Sequence, residues 1–274
     1  MVARVMRSVV LIVLTALILT GCGRQVARDP SQDPDLLATG PASSPVPQPF
    51  VAASIEAVGG LPAWTQSRRL DFDAIVTAHH PDGGLYLTEH RFSLFPWSDA
   101  IRVTAGEPRA RIAWQVLCGQ CSVDGDPALD VSPLSGSYRE YAEAVLQIVT
   151  APARMLEPSV TLTRRPMPVQ IAGQWYQPID AKFRPQEIVS GEKGRNRIVE
   201  PYWTEGTYFQ NHSRPIVDMI WLANPIARHF LLVRGYDYAQ VAGDGIWIPT
   251  KIEIFQSDPE ARFGPRLALI DLKR

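Results

Sequence analysis

Two cysteines three positions apart, in Cys118-Gly119-Gln120-Cys121, carry the sharpest local chemistry in the sequence. In an exported chain such a pair meets an oxidising compartment, and a disulfide between Cys118 and Cys121 is expected. The same spacing serves thiol–disulfide exchange, in which the first thiol opens a helix and has a lowered pKa. Here the apolar run Arg111 to Leu117 comes before the pair and Ser122-Val123-Asp124-Gly125 follows, with no helical pattern. The flanks therefore favour a link that tightens a strand-end turn, and the small loop it closes limits its entropic stabilisation. A zinc site needs about two further ligands, and only His79, His80, His90, His212, His229 and carboxylates are available, without HExxH or a second CxxC. No metal and no cofactor is expected. Asp71 and Asp73 share one strand face, the pattern of a wet sheet surface rather than of an acid–base pair. The serines lack a G-x-S-x-G elbow and no Gly-rich loop joins a strand to a helix, so esterase, dinucleotide and P-loop chemistry have no motif to stand on. The expected protein is not an enzyme.

The third cysteine has a different setting. Arg4 and Arg7 precede an apolar stretch, Val9 to Leu19, broken only by Thr15, and Leu19-Thr20-Gly21-Cys22 closes it. The stretch is shorter than the roughly 17 residues that span a bilayer, so it reads as an export signal. Its end resembles the lipobox of bacterial lipoproteins, which implies cleavage before Cys22 and acylation there. Residues 1–21 are then the signal peptide, and Cys22 is a membrane anchor held by several acyl chains at about 0.8 kcal/mol per buried methylene. Gly23 in place of Asp implies sorting to the outer membrane, facing the periplasm. Residues 22–50 form a tether through Asp29-Pro30, Asp33-Pro34, Gly40-Pro41 and Pro45-Val46-Pro47-Gln48-Pro49, too poor in large apolar residues to build a core. The 274-residue chain has a formal net charge of -1. Without Arg4 and Arg7 it carries 25 basic and 28 acidic side chains, which excludes a bulk electrostatic pull toward nucleic acid.

Residues 51–274 must supply the functional domain. Val51 to Val58 reads as a short helix stopped at Gly59-Gly60, and Leu61-Pro62-Ala63-Trp64 starts a second turn or helix. Leu70, Phe72, Ala74 and Val76 alternate with Asp71, Asp73, Ile75 and Thr77, the period of a half-buried strand. Pro81-Asp82-Gly83-Gly84 turns the chain into a return strand, Leu85 to Phe95. Strands are expected at Ala100 to Thr104 and Arg111 to Leu117. Tyr138, Tyr141, Ala142, Val145 and Ile148 then trace one face of a helix ending near Val149, with Ser137 and Glu140 as a capping box. Further strands follow at Ser159 to Thr163, Val169 to Ile171, Trp175 to Phe183, Arg197 to Trp203, Thr207 to Gln210 and Pro215 to Leu222. The polar stretch around Ser190-Gly191-Glu192-Lys193-Gly194 reads as an exposed loop. Phe230 to Val241 and Ile246 to Phe255 form the clearest hairpin, and Leu267 to Ile270 a closing strand.

The lipobox, the helix before Gly59-Gly60, the antiparallel meander interrupted by one helix, and the hairpin from Tyr236-Asp237-Tyr238 to Gly245-Ile246-Trp247-Ile248-Pro249-Thr250-Lys251 together resemble the LolA/LolB superfamily of periplasmic lipoprotein carriers. The resemblance implies a mainly β fold with α, a strongly curved antiparallel sheet forming an unclosed barrel with helices packed on its concave side. It also implies an apolar cavity there for acyl chains. The aromatic residues Phe92, Trp114, Trp203, Tyr208, Trp221, Tyr236 and Trp247 are the candidates for its lining, with plain core packing as their alternative role. The expected function is non-catalytic: an envelope lipoprotein that binds a lipid or lipidated protein by reversible burial. Two alternatives are a structural or protein-interaction module of the envelope and a thiol–disulfide exchange protein centred on Cys118 and Cys121. The expected partners are the membrane through acylated Cys22 and a lipid, lipoprotein or envelope protein.

Overall fold

The computed structural model describes residues 47–80, 82–107, 110–117, 120–125, 132–134, 137–190, 195–240 and 245–273. The signal segment, Cys22, most of the tether and Cys118 lie outside these residues.

Two short helices, α1 (Pro49–Glu56) and α2 (Gly60–Gln66), open the described chain. Proline begins α1, where its missing N–H costs nothing. Gly59 separates the helices at φ 118°, and a Cβ there would lie 2.5 Å from the Gly245 carbonyl oxygen, so only glycine lets the two segments meet. The meeting is fixed by Trp247 N–H and the Trp64 indole N–H, both donating to Val58 O.

A meander follows: β1 (Leu70–His79), β2 (Leu85–Phe95), β3 (Ala100–Glu107), β4 (Ala110–Leu117) and β5 (Gln120–Asp124). Then come α3 (Tyr138–Val149) and α4 (Ala151–Arg154). The remainder is β6 (Val160–Arg164), β7 (Val169–Ile171), β8 (Gln174–Phe183), β9 (Gln186–Ser190), β10 (Arg195–Val199), β11 (Glu205–Asn211), β12 (Val217–Asn224), β13 (His229–Gln240), β14 (Trp247–Gln256) and β15 (Arg266–Leu272). Among the described residues, one antiparallel sheet runs β5-β4-β3-β2-β1-β15-β14-β13-β12-β11-β8-β6, with β7 added on β8. The terminal strands β5 and β6 do not pair, so the sheet is not closed into a barrel. Register shifts at Phe209/Gln210 and Ile254/Phe255 add local bends.

The closing strand β15 returns to pair with β1, joining the two halves of the meander across the chain termini of the domain. Inward residues alternate as the pattern requires: Leu70, Ala74 and Val76 on β1 and Ile248, Ile252 and Ile254 on β14 are buried, while Asp71 and Asp73 face out. Asp73 is bound by the Arg91 guanidinium and Asp71 by Arg69 and Ser93, the wet-face arrangement expected of them. Helix α3 lies against β3, β4 and β5 from one arm of the sheet and β12, β13 and β14 from the other. It therefore occupies the concave side.

Two expectations are corrected. The strand expected at Arg197 to Trp203 starts and ends earlier, as β10, and pairs with the unexpected strand β9 in a separate two-stranded sheet; beyond Ser190 the loop expected up to Gly194 lies outside the described residues. Ser137 makes no side-chain cap bond to α3. Glu140 is turned instead toward the Tyr202 hydroxyl and His229 Nδ1, both of which bond its carboxylate.

Candidate functional site

The inner face of the sheet is built by alternation, and α3 is built by the 3.6-residue period that places Tyr138, Tyr141, Val145 and Ile148 on one side. Phe92 from β2, Trp114 from β4 and Tyr208 from β11 all point to this side and are fully buried, with Trp203 beside them in the segment before β11. The Trp114 ring meets Tyr138 at 4.9 Å and Tyr141 at 6.1 Å, and Phe92 meets Tyr141 at 6.2 Å. Across the helix, the Tyr208 hydroxyl donates to Gln147 Oε1 at 3.2 Å. Ile148 fills the space left by Gly235 on β13, where a Cβ would come within 3.2 Å of Ile148 and 2.8 Å of Pro249. One helix thus plugs both arms of the sheet.

The other expected aromatic residues do not join this group. Trp221 lies on the opposite face, in an outer cluster with Tyr176, Phe209, Met219, Leu232 and Phe255. Both faces of β12 carry apolar residues, so side-chain type could not assign the face. Tyr236 lies under the cations of Arg234 and Lys251, 5.5 and 5.9 Å from its ring centre. Trp247 is 43% exposed at the start of β14.

Sequence reasoning missed the polar groups sealed beneath α3. His90 is buried between Thr88 Oγ1, 2.7 Å from Nε2, and the Tyr141 hydroxyl, 3.0 Å from Nδ1. Burial pushes its pKa down to about 3, so the ring is neutral at physiological pH. Glu143 on α3 is raised to about 7 by burial and by nearby Asp99, against the pull of Arg139, whose Nε donates to it at 2.8 Å. Arg154 is buried between Asp99 and Glu157; burial opposes its charge, but the two carboxylates more than compensate and keep it protonated. The only sequence signal was charge inside apolar runs: Glu143 within Ala142 to Leu146, and Arg154 after Ala151-Pro152-Ala153.

Glu143, Gln147, Arg154 and Trp203 border a partly open crevice with about 30 Å³ of free space, enough for a single water molecule. Trp114 Nε1, Trp203 Nε1 and Arg154 Nε are buried with no hydrogen-bond partner among the described residues. Each unpaired buried donor costs about 1–3 kcal/mol. The two larger grooves, of about 390 and about 420 Å³, lie on the outer face.

At β5, Cys121 has no disulfide partner among the described residues, and partial burial of its sulfur pushes the thiol up to about 11, with Arg139 opposing and Glu143 reinforcing the shift. A thiol so held is protonated at neutral pH, the reverse of an exchange nucleophile. No group of three or more His, Cys, Asp or Glu among the described residues is arranged to hold a metal ion.

No family model and no curated protein matches the chain. Among solved structures it is similar to a LolA superfamily protein of Nitrosomonas europaea, at 9% identity and a TM-score of 0.47 over 85% of this chain and 93% of that one. It is also similar to a DUF1329 family protein of Desulfovibrio piger and to a domain assigned to outer membrane lipoprotein sorting from Vibrio parahaemolyticus. Each of these two is 9% identical with a TM-score of 0.41, over 82% of this chain and 90% of the other.

Proposed function

We propose that this chain is a non-enzymatic envelope lipoprotein, anchored through acylated Cys22, that takes an acyl chain or other greasy ligand onto the concave face of its sheet when α3 moves away. The observation that carries this reading is the state of the core beneath α3. Phe92, Trp114, Trp203 and Tyr208 line it, α3 spans the two arms there, and three buried donors have no partner among the described residues.

The energetics are those of an exchange. Exposing Tyr141, Val145, Leu146, Ile148 and Val149 costs about 1.5–3 kcal/mol each, so roughly 8–15 kcal/mol in total. A chain of about 16 methylenes returns about 13 kcal/mol at 0.8 kcal/mol each. An acyl chain can therefore replace the plug at little net cost, and an unpaired indole N–H is a ready donor for its carbonyl. Release needs no covalent step, only a competing membrane or acceptor.

The test is labelling of the mature, detergent-solubilised protein with a photoreactive fatty acid. Adducts on peptides containing Phe92, Trp114 or Tyr208 are expected. Labelling confined to outer-face peptides would contradict the proposal.

The second reading, an envelope docking module, draws on a different observation. β2 pairs with β3 only from His90 onward, leaving Leu85 to Glu89 as an open edge that carries Leu85 and Leu87, 62% and 64% exposed. Under that reading Leu85→Ser/Leu87→Ser abolishes co-purification of an envelope partner, and no concave-face adducts form.

A further inference from the structure

The outer face bears a second constructed surface, on the side of the sheet away from α3. Thr207, Trp221 and Asp180 stand side by side on β11, β12 and β8, in register Thr207↔Trp221 and Thr207↔Asp180. The segment after β14 folds back over them. Asp258 organises it: Oδ1 accepts the backbone N–H groups of Glu260 and Arg262, Oδ2 accepts Arg262 Nε, and its carbonyl accepts the Trp221 indole N–H at 3.1 Å. Ala261 is held at φ 58°, a left-handed conformation that a non-glycine residue keeps only when its surroundings enforce it. The indole is further fixed by stacking on Phe230 at 6.1 Å and 12°. A groove of about 420 Å³ results, lined by Trp221, Phe209, Arg165, Asp180, Lys182, Glu205 and Glu260 among others, within the size range of small-ligand sites.

The groove's chemistry is specific. Its apolar part is aromatic, and its polar part is planar or forked. Arg165 is paired with Asp180, and Asp180 also accepts Thr207 Oγ1 at 2.9 Å. Two cations, Arg165 and Lys182, stand against three carboxylates, Asp180, Glu205 and Glu260, the last also paired with Arg262 Nη2 at 3.2 Å. That near balance favours neither a phosphate, which needs a surplus of cations, nor an amine, which needs a marked surplus of carboxylates. A polyhydroxylated neutral ring fits both halves: its polarised C–H face packs on the negative face of an indole, and its hydroxyls both donate and accept.

We propose that this outer groove is a binding site for a neutral saccharide, with Trp221 as the stacking platform and Asp180, Glu205 and Glu260 as hydroxyl acceptors. It lies on the face opposite the plugged core and does not depend on what that core binds. The preset indole reduces the ordering cost of a weak ligand.

The experiment follows the indole N–H resonances of the mature protein by NMR, with Trp221→Phe assigning the Trp221 signal and exposed Trp175 as the internal control. The probes are maltotetraose, cellotetraose and chitotetraose. At least one should shift the Trp221 signal saturably by about 10 mM, ten times the concentration that corresponds to about -4 kcal/mol. Glu205→Ala/Glu260→Ala, both on exposed side chains, should weaken that affinity at least tenfold without lowering the unfolding temperature. The proposal is overturned if none of the three sugars moves the Trp221 signal. It is equally overturned if Trp175 alone responds, if the double variant binds unchanged, or if inorganic phosphate produces the shift and the sugars do not.

Discussion

His90 and Glu143, two titratable residues sealed under the same helix, push stability in opposite directions with pH. His90 is held down to about 3 in the folded chain and rises to 6.5 when exposed, so between those values the unfolded state binds the extra proton. Folding stability from this group therefore falls as pH is lowered through 6.5 toward 3. Glu143 is held up at about 7 against 4.5 when exposed, so between 4.5 and 7 the folded state binds the extra proton and stability falls as pH rises. From about 4.5 to 6.5 the two slopes oppose each other and leave a plateau. Glu143→Gln should gain on the order of 1–3 kcal/mol relative to the parent at pH 8 and much less at pH 4.5. His90→Gln, which keeps a polar group near Thr88 and Tyr141, should flatten the acid limb below 4.5. Urea unfolding at a series of pH values measures both, and a Glu143→Gln gain independent of pH would refute the assignment. Neither residue was legible in the sequence: His90 stands among polar neighbours, Thr88, Glu89 and Arg91, that read as a wet strand face, and the single carboxylate Glu143 in an apolar helix reads equally well as a surface position until its partners are known.

At the scale of elements, the two periods told most of the story. Alternation located β1 and β14 with their buried faces, and the 3.6 spacing from Tyr138 to Ile148 located α3 and its inner side. Parity failed where it carries no information. Ile220, Trp221 and Leu222 are apolar on both sides of β12, and Asp237, at φ 54°, interrupts the alternation of β13 beside Tyr236. β9 was missed because Gln186 to Ser190 is short and flanked by polar residues, and among the described residues β10 is the one strand it pairs with. The junctions between elements depend on close approach more than on pattern. Gly59→Ala should destabilise by at least about 1–3 kcal/mol, since a side chain would need both a left-handed backbone and the space of Gly245 O. Gly235→Ala should disturb the seat of α3 by meeting Pro249 and Ile148, and should raise amide exchange in α3 more than in β1 or β2. Thermal unfolding and amide exchange of the two variants separate these effects.

For the whole molecule, an unclosed antiparallel sheet leaves two terminal strands, β5 and β6, and its concave side is filled by α3 together with the shorter helices α1, α2 and α4. The outer face carries its own aromatic cluster and folded-over segment, separate from the core beneath α3. Under the proposal the part of the tether before α1, residues 22–48, at roughly 3.3 Å per extended residue, lets the domain work up to about 90 Å from its lipid anchor. Mutating Cys22 to Ser should then release the protein from membranes while leaving ligand capture intact, as fractionation and photolabelling would show. The most direct measurement of the central proposal is hydrogen exchange along α3 in the mature protein, with and without saturating palmitate. The expected result is loss of protection at residues 141–149 on palmitate binding, with β13 and β14 unchanged or more protected. Bound palmitate with α3 fully protected, or no palmitate binding at all, would contradict a helix that yields its place to an acyl chain.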